Sequence, residues 1–207
     1  MRSYKLVRKI VIFGLLFVCL PTQLYARWLN VADAPTDSSH TQTIHVNDDG
    51  TYKTVIEIKR RILTEAGRAE ASNIRLFYNN DSETIKVLEA KTIRDGKEHN
   101  LTKDLMEDKP LASGYNGFDQ WHQLLLVFPK VEIGTTIYVK YRLVVEEPRL
   151  EKFFSQMFYF GDNELVTKAQ VNITSKLPLH ILVNDPQKAF KISEKKIFIL
   201  RIKYCSN

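Results

Sequence analysis

Cysteine is nearly absent: the 207 residues contain only Cys19 and Cys205. Cys19 lies inside an apolar N-terminal run and Cys205 lies next to the C-terminus, so no internal disulfide framework is expected. The same scarcity removes a Cys/His nucleophilic site, which needs a thiol beside an oriented imidazole. Histidine is sparse too. His40, His45, His99, His122 and His180 show no spacing that sets two on one side of a strand or helix, so no metal site is expected. Eight glycines form no phosphate-cradling loop, and no serine sits in a nucleophile elbow. These absences point away from an enzyme and from any cofactor. Acidic residues are missing from the first 26 positions, where Arg2, Lys5, Arg8 and Lys9 account for most of the formal net charge of +6. The remainder carries 26 bases against 24 acids, an excess too small for a nucleic-acid footprint.

Long hydrophobic runs are also lacking, apart from IVIFGLLFVCL near the start. A basic opening, an 11-residue apolar core and the polar stretch PTQLYA have the order of a secretory signal peptide. The run is shorter than the roughly 20 residues that span a bilayer. The sequence therefore predicts a signal peptide over residues 1–26 with cleavage after Ala26; an uncleaved N-terminal anchor is the alternative. Contact with a membrane is expected only through this segment, and only transiently. Residues 27–39, polar and aperiodic, read as a linker, residues 40–204 as one domain and residues 205–207 as a tail.

The domain shows the two-residue period of half-buried strands. In TYKTVIEIKRRIL, Tyr52, Thr54, Ile56, Ile58 and Ile62 share one face, while Lys53, Glu57, Lys59 and Arg61 take the other. Asn47-Asp48-Asp49-Gly50 and Arg94-Asp95-Gly96-Lys97 are hairpin turns, because Asn, Asp and Gly tolerate left-handed backbone. Further strands are read at HTQTIHV, NIRLFYN, TIKVLEAKTI, QWHQLLLVF, TTIYVKYRLVVEE, LVTKAQVNITS, LHILV, AFKIS and IFILRIK, and the aromatic stretch after Pro148 as a buried β segment. The fold class expected is all-β: an antiparallel β-sandwich of ten or more short strands.

Two stretches invite a functional reading. FPKVEIGTTIYVKY holds no serine, cysteine or histidine, so it reads as a sandwich corner: Pro129 ends one strand, Gly134 allows the turn and Phe128 plugs the core. Residues 103–119 have no period and read as a long surface loop, the usual place for function. Asp104, Glu107 and Asp108 form an acidic cluster in it, taken as solvated. Tyr115, Phe118, Trp121 and His122 gather an aromatic set at its end, and these four are the candidate binding residues, as a stacking platform for a glycan.

The order of the short motifs resembles the domain of unknown function that precedes transglutaminase-like domains in exported bacterial proteins. The residues that carry it are Asp49-Gly50-Thr51-Tyr52, Glu65-Ala66-Gly67, Asp95-Gly96-Lys97, Phe128-Pro129, Val131 with Gly134, Tyr138 with Tyr141, and the phenylalanine-rich Phe153 to Phe160. The resemblance implies a β-sandwich exported to the periplasm or cell surface of a bacterium, in front of a papain-like core. This sequence ends at RIKYCSN without such a core, so no catalytic residue carries over. The expectation is a non-catalytic accessory module, with an envelope protein or glycan as partner and no nucleic acid. The alternative is a stand-alone carbohydrate- or peptidoglycan-binding module.

Overall fold

A strand shows alternate side chains to opposite faces, so the residues that share a parity decide what each sheet can cover. The computed structural model describes residues 34–111, 120–159, 165–182, 184, 190–195 and 199–205. The expected signal peptide and residues 27–33 of the expected linker lie outside the described residues. The all-β expectation holds. Among the described residues there are eleven strands, one α-helix and one 3-10 turn.

Strand β1 (Thr36–Val46) turns through Asn47–Gly50 into β2 (Tyr52–Ile62), with Val46 opposite Tyr52. The turn closes as its residue types predict. Asn47 Nδ2 donates to Thr51 Oγ1 at 2.8 Å, and the Thr51 amide donates to Asp49 Oδ1 at 2.9 Å. Strand β1 begins at Thr36 rather than His40 because Thr36 and Ser38, both buried, extend its inner face with small polar side chains that hydropathy does not flag. Helix α1 (Glu65–Ala71) is capped by the Thr64 hydroxyl, which accepts from the Gly67 amide at 3.1 Å. Gly67 meets the start of β1 so closely that a Cβ there would lie 2.0 Å from the Pro35 carbonyl oxygen.

Then follow β3 (Asn73–Asn79), β4 (Glu83–Arg94), β5 (Lys97–Asn100), the 3-10 turn Lys103–Leu105, β6 (Met106–Pro110), β7 (Trp121–Val127), β8 (Thr136–Val145), β9 (Leu165–Ser175), β10 (Phe190–Lys195) and β11 (Ile199–Cys205). They form an eight-stranded sheet in the order β10-β11-β9-β1-β2-β8-β4-β5 and a three-stranded sheet in the order β3-β7-β6. The FPKVEIGTTIYVKY stretch is the corner expected. Phe128 is buried with Ile62, Leu126 and Val131, and Gly134 turns at a φ of +87°.

Four local expectations are corrected. The sandwich is not antiparallel throughout, because β1 and β9 pair in parallel. More than a hundred residues separate them, so no hairpin dictates their direction. Several strands are long, with 11 residues in β2 and 12 in β4. Residues 106–110, expected in a loop, form edge strand β6, which takes its hydrogen bonds from β7 instead of from any apolar pattern of its own. Residues 153–159 and 178–182 form no strand.

One face of the large sheet is covered twice. Over β2, β8 and β4 lies the small sheet, and Ile62, Ala90, Ile137 and Val139 meet Ile74, Leu76 and Leu126 in a buried apolar cluster. Over β1 and β9 lies a strap, residues 148–159, continued by residues 177–181. Phe154, Phe158, Leu177, Leu179 and Ile181 pack there on Ile44, Val46, Val171 and Ile173. The strap is tied to the first hairpin where the Lys152 amide donates to the Asp49 carbonyl at 2.8 Å. It crosses over Gly50, whose absent Cβ would stand 2.9 Å from the Phe153 carbonyl oxygen.

Candidate functional site

The small sheet brings together groups that lie far apart in sequence. Tyr78 on β3 is directly opposite His122 on β7, and Asp108 on β6 flanks β7 from the other side. The Tyr78 hydroxyl donates to Asp108 Oδ2 at 2.5 Å. His122 Nδ1 lies 3.1 Å from Asp108 Oδ1, and an ionised carboxylate only accepts, so Nδ1 carries the proton of this contact. The Tyr78 and His122 rings lie 5.5 Å apart, centroid to centroid, tilted by 53°. One carboxylate therefore joins all three strands.

Burial holds the Tyr78 hydroxyl in its neutral form first, and the hydrogen bond to Asp108 and that carboxylate's charge add to it, so its pKa is pushed up to about 12. An imidazole oriented by a carboxylate is two-thirds of a nucleophilic triad. Among the described residues, no hydroxyl or thiol makes a hydrogen bond to His122, and Asp108 also accepts from Tyr78. The arrangement works as a cross-strand clamp.

The four residues expected to form an aromatic platform are divided. Tyr115 and Phe118 lie outside the described residues. Trp121 and His122 are neighbours on one strand and so face opposite sides of the small sheet. His122 turns toward Tyr78, while Trp121 shares the other face with Phe77 and Val127, both exposed. In the acidic cluster, Asp108 is held by the clamp and Glu107 lies 3.5 Å from Lys109 Nζ. Hydrogen bonding from Thr102 first, then from its own backbone, keeps the Asp104 carboxyl below its ordinary range. Among the described residues no group of three His, Cys, Asp or Glu side chains is placed to hold a metal ion.

Sequence reasoning missed two features. On the outer face of the large sheet, Lys59 and Lys91 flank the Tyr138 ring at 5.7 and 5.5 Å from its centroid. Lys91 also reaches Glu89 at 2.8 Å and Glu98 at 2.9 Å; these hydrogen bonds push its pKa upward. The second feature is a cavity of about 210 Å³ between the strap and the inner faces of β1 and β9. Its sequence signal was present. The inner register of β1 is apolar at Ile44 and Val46 but carries long polar side chains at His40 and Gln42, which stay half-buried where Thr36 and Ser38 of the same register are buried.

A family model described as a domain of unknown function with a solved structure, DUF3857, matches residues 48–198. Among solved structures, a Parabacteroides distasonis protein described as a candidate protease superposes with a TM-score of 0.62 at 15% identity, over 82% of this chain and 35% of that one. This chain thus spans about a third of that protein's length. An M1 zinc metallopeptidase from Deinococcus radiodurans gives a TM-score of 0.35 at 9% identity, over 84% of this chain and 40% of its own. A family IIIa CBD from Clostridium cellulolyticum gives 0.31 at 12% identity, over 54% and 73%. These last two superpose too loosely to bear on the fold. No curated protein matches.

Proposed function

We propose that this chain, which belongs to the DUF3857 family, is a non-catalytic β-sandwich module that serves as the accessory N-terminal part of an exported transglutaminase-like protein. It acts at the periplasm or cell surface of a bacterium through contact with an envelope protein. The observation that carries the reading is the reach of the structural likeness: most of this chain superposes on about a third of a longer protein. That supports a sandwich that works beside other domains. The Tyr78–Asp108–His122 geometry supports a structural use of the best-placed polar residues, because Asp108 holds three strands together. The basic, apolar and polar order of residues 1–26 supports export.

The test is to translate the DNA beyond the codon for Asn207 in all three forward frames. A cysteine–histidine–aspartate core within one domain length, about 100–200 residues, is the expected result. Its absence overturns the accessory reading and leaves a stand-alone module. Turnover of an amide or glycoside reporter by the purified chain, lost in His122→Ala, would overturn the non-catalytic part. Export is checked by the mass of the mature N-terminus, expected to begin at Arg27.

A further inference from the structure

Beneath the strap, the inner face of the large sheet is apolar at Ile44, Val46, Val171 and Ile173 and carries the larger polar side chains of His40 and Gln42, both half-buried. There Gln42 and His40 of β1 face a cavity of about 210 Å³ with Ile56 and Val171 beside them, and Gln156, Phe158 and Tyr159 of the strap close the other side. Gln42 Nε2 donates to Thr54 Oγ1 at 3.2 Å, which fixes the amide and leaves its carbonyl oxygen as an acceptor. His40 Nε2 is held 3.1 Å from Ser38 Oγ. At the mouth, Tyr159 is 83% exposed and Met157 70%, with the tyrosine hydroxyl resting on the methionine sulfur. Phe158, one residue along, turns inward onto the β1–β9 cluster.

We propose that this cavity is a binding site for a neutral pyranose sugar, free or at the end of a glycan. The lining supplies what such a ligand needs. Carboxamides both donate and accept, as sugar hydroxyls do, and the aliphatic floor and exposed Tyr159 ring offer apolar surface for the C–H face of the ring. The volume suits one ring-sized group, since it falls below the roughly 300–1,000 Å³ of pockets that take drug-sized ligands. An ionic ligand is disfavoured, because no Asp, Glu, Lys or Arg is among the described lining residues. An added peptide strand is disfavoured as well. Strand β1 is paired on both edges by β2 and β9, and β9 by β1 and β11, so no open backbone edge faces the cavity. The site stands apart from the aromatic set expected around Trp121, and it holds whether or not the chain works within a longer protein.

The experiment is a ¹H–¹⁵N NMR titration of the full chain with N-acetylglucosamine, its β-linked trimer, glucose and a tetra-alanine peptide. The expected result is movement of the Gln42 and Gln156 side-chain amide signals by the sugars, with a Kd on the order of 1 mM. Tyr159→Ala and Gln156→Ala, both at exposed positions, weaken binding about tenfold with an otherwise unchanged spectrum. Phe77→Ala, on the small sheet, leaves binding unchanged. Tighter binding of the trimer assigns the ligand to a polymer, and equal binding assigns it to a free sugar. The proposal is overturned if no sugar moves these signals, if the shifts centre on Trp121, or if only the peptide moves them.

Discussion

The two covers of the large sheet solve one problem by different means. The small sheet brings its own hydrogen-bonded backbone, so each of its inward side chains has a set position, and the cluster beneath it contains Ile62, Leu126 and Val139 with no exposed surface. The strap has no sheet ladder of its own. It half-buries Phe154 and Phe158, leaves Phe153, Met157 and Tyr159 in solvent, and borders the cavity. A backbone with its own hydrogen bonds can close an apolar core; one without them covers by a few anchors and leaves gaps. The paired cover closes the more deeply buried cluster, and the strap borders the candidate binding site.

Breaking the first cover should have the largest effect. Leu126→Ala removes a fully buried side chain from the cluster between the sheets, and the expected loss is about 2–5 kcal/mol, read as a lower midpoint in urea unfolding. An equal or smaller loss than for Phe154→Ala, whose ring is half-buried and meets Tyr52 edge-on at 5.1 Å, would contradict the comparison.

The strap is best broken at its crossing point. Gly50→Ala places a Cβ against the Phe153 backbone at a φ of +94°. The expected cost is about 1–3 kcal/mol. Amide hydrogen exchange should rise in residues 150–159 and stay unchanged in β3 and β7.

The clamp of the small sheet can be tested by pH. Tyr78 and Tyr141 both have pKa values pushed up to about 12, each chiefly by burial. A raised folded pKa means stability that is fully present below the ordinary tyrosine value of about 10 and is lost as pH climbs toward 12. Unfolding midpoints should be flat in this respect below pH 10 and fall between pH 10 and 12. Tyr78→Phe should cost about 1–2 kcal/mol at neutral pH, where Asp108 loses a donor, and should flatten part of that alkaline fall.

The smallest effect is expected where a polar atom is misplaced. Thr92 Oγ1, on the large sheet beneath the small one, is buried with no hydrogen-bond partner among the described residues. Thr92→Val keeps the shape and removes that hydroxyl, so stability should hold or rise by up to about 1 kcal/mol. A clear loss would reveal a partner for the hydroxyl.

Much of the fold was legible in particular residues. Asn47–Gly50 and Asp95–Gly96 are turns because their residue types accept positive φ, and both form as read. The alternation of Tyr52, Thr54, Ile56 and Ile58 placed β2 and its inner face correctly. The candidate site was less legible. His122 was singled out, but its partners Tyr78 and Asp108 lie 44 and 14 residues away, and only strand pairing brings them to it. Phe153 to Tyr159 read as a buried β segment because strands flank them, yet no neighbour pairs with them.

The sequence alone determined what depends on near neighbours: an all-β chain, its two tight hairpins, the corner at Phe128–Gly134 and the polar half of the β1 inner face. These follow from backbone preferences and a two-residue period, which act over a few positions. The tertiary structure decided the parallel pairing of β1 with β9, edge strand β6, the Tyr78–Asp108–His122 clamp and the cavity under the strap. Each of these is a meeting of distant segments, set by which faces bury together, and no local pattern encodes that choice.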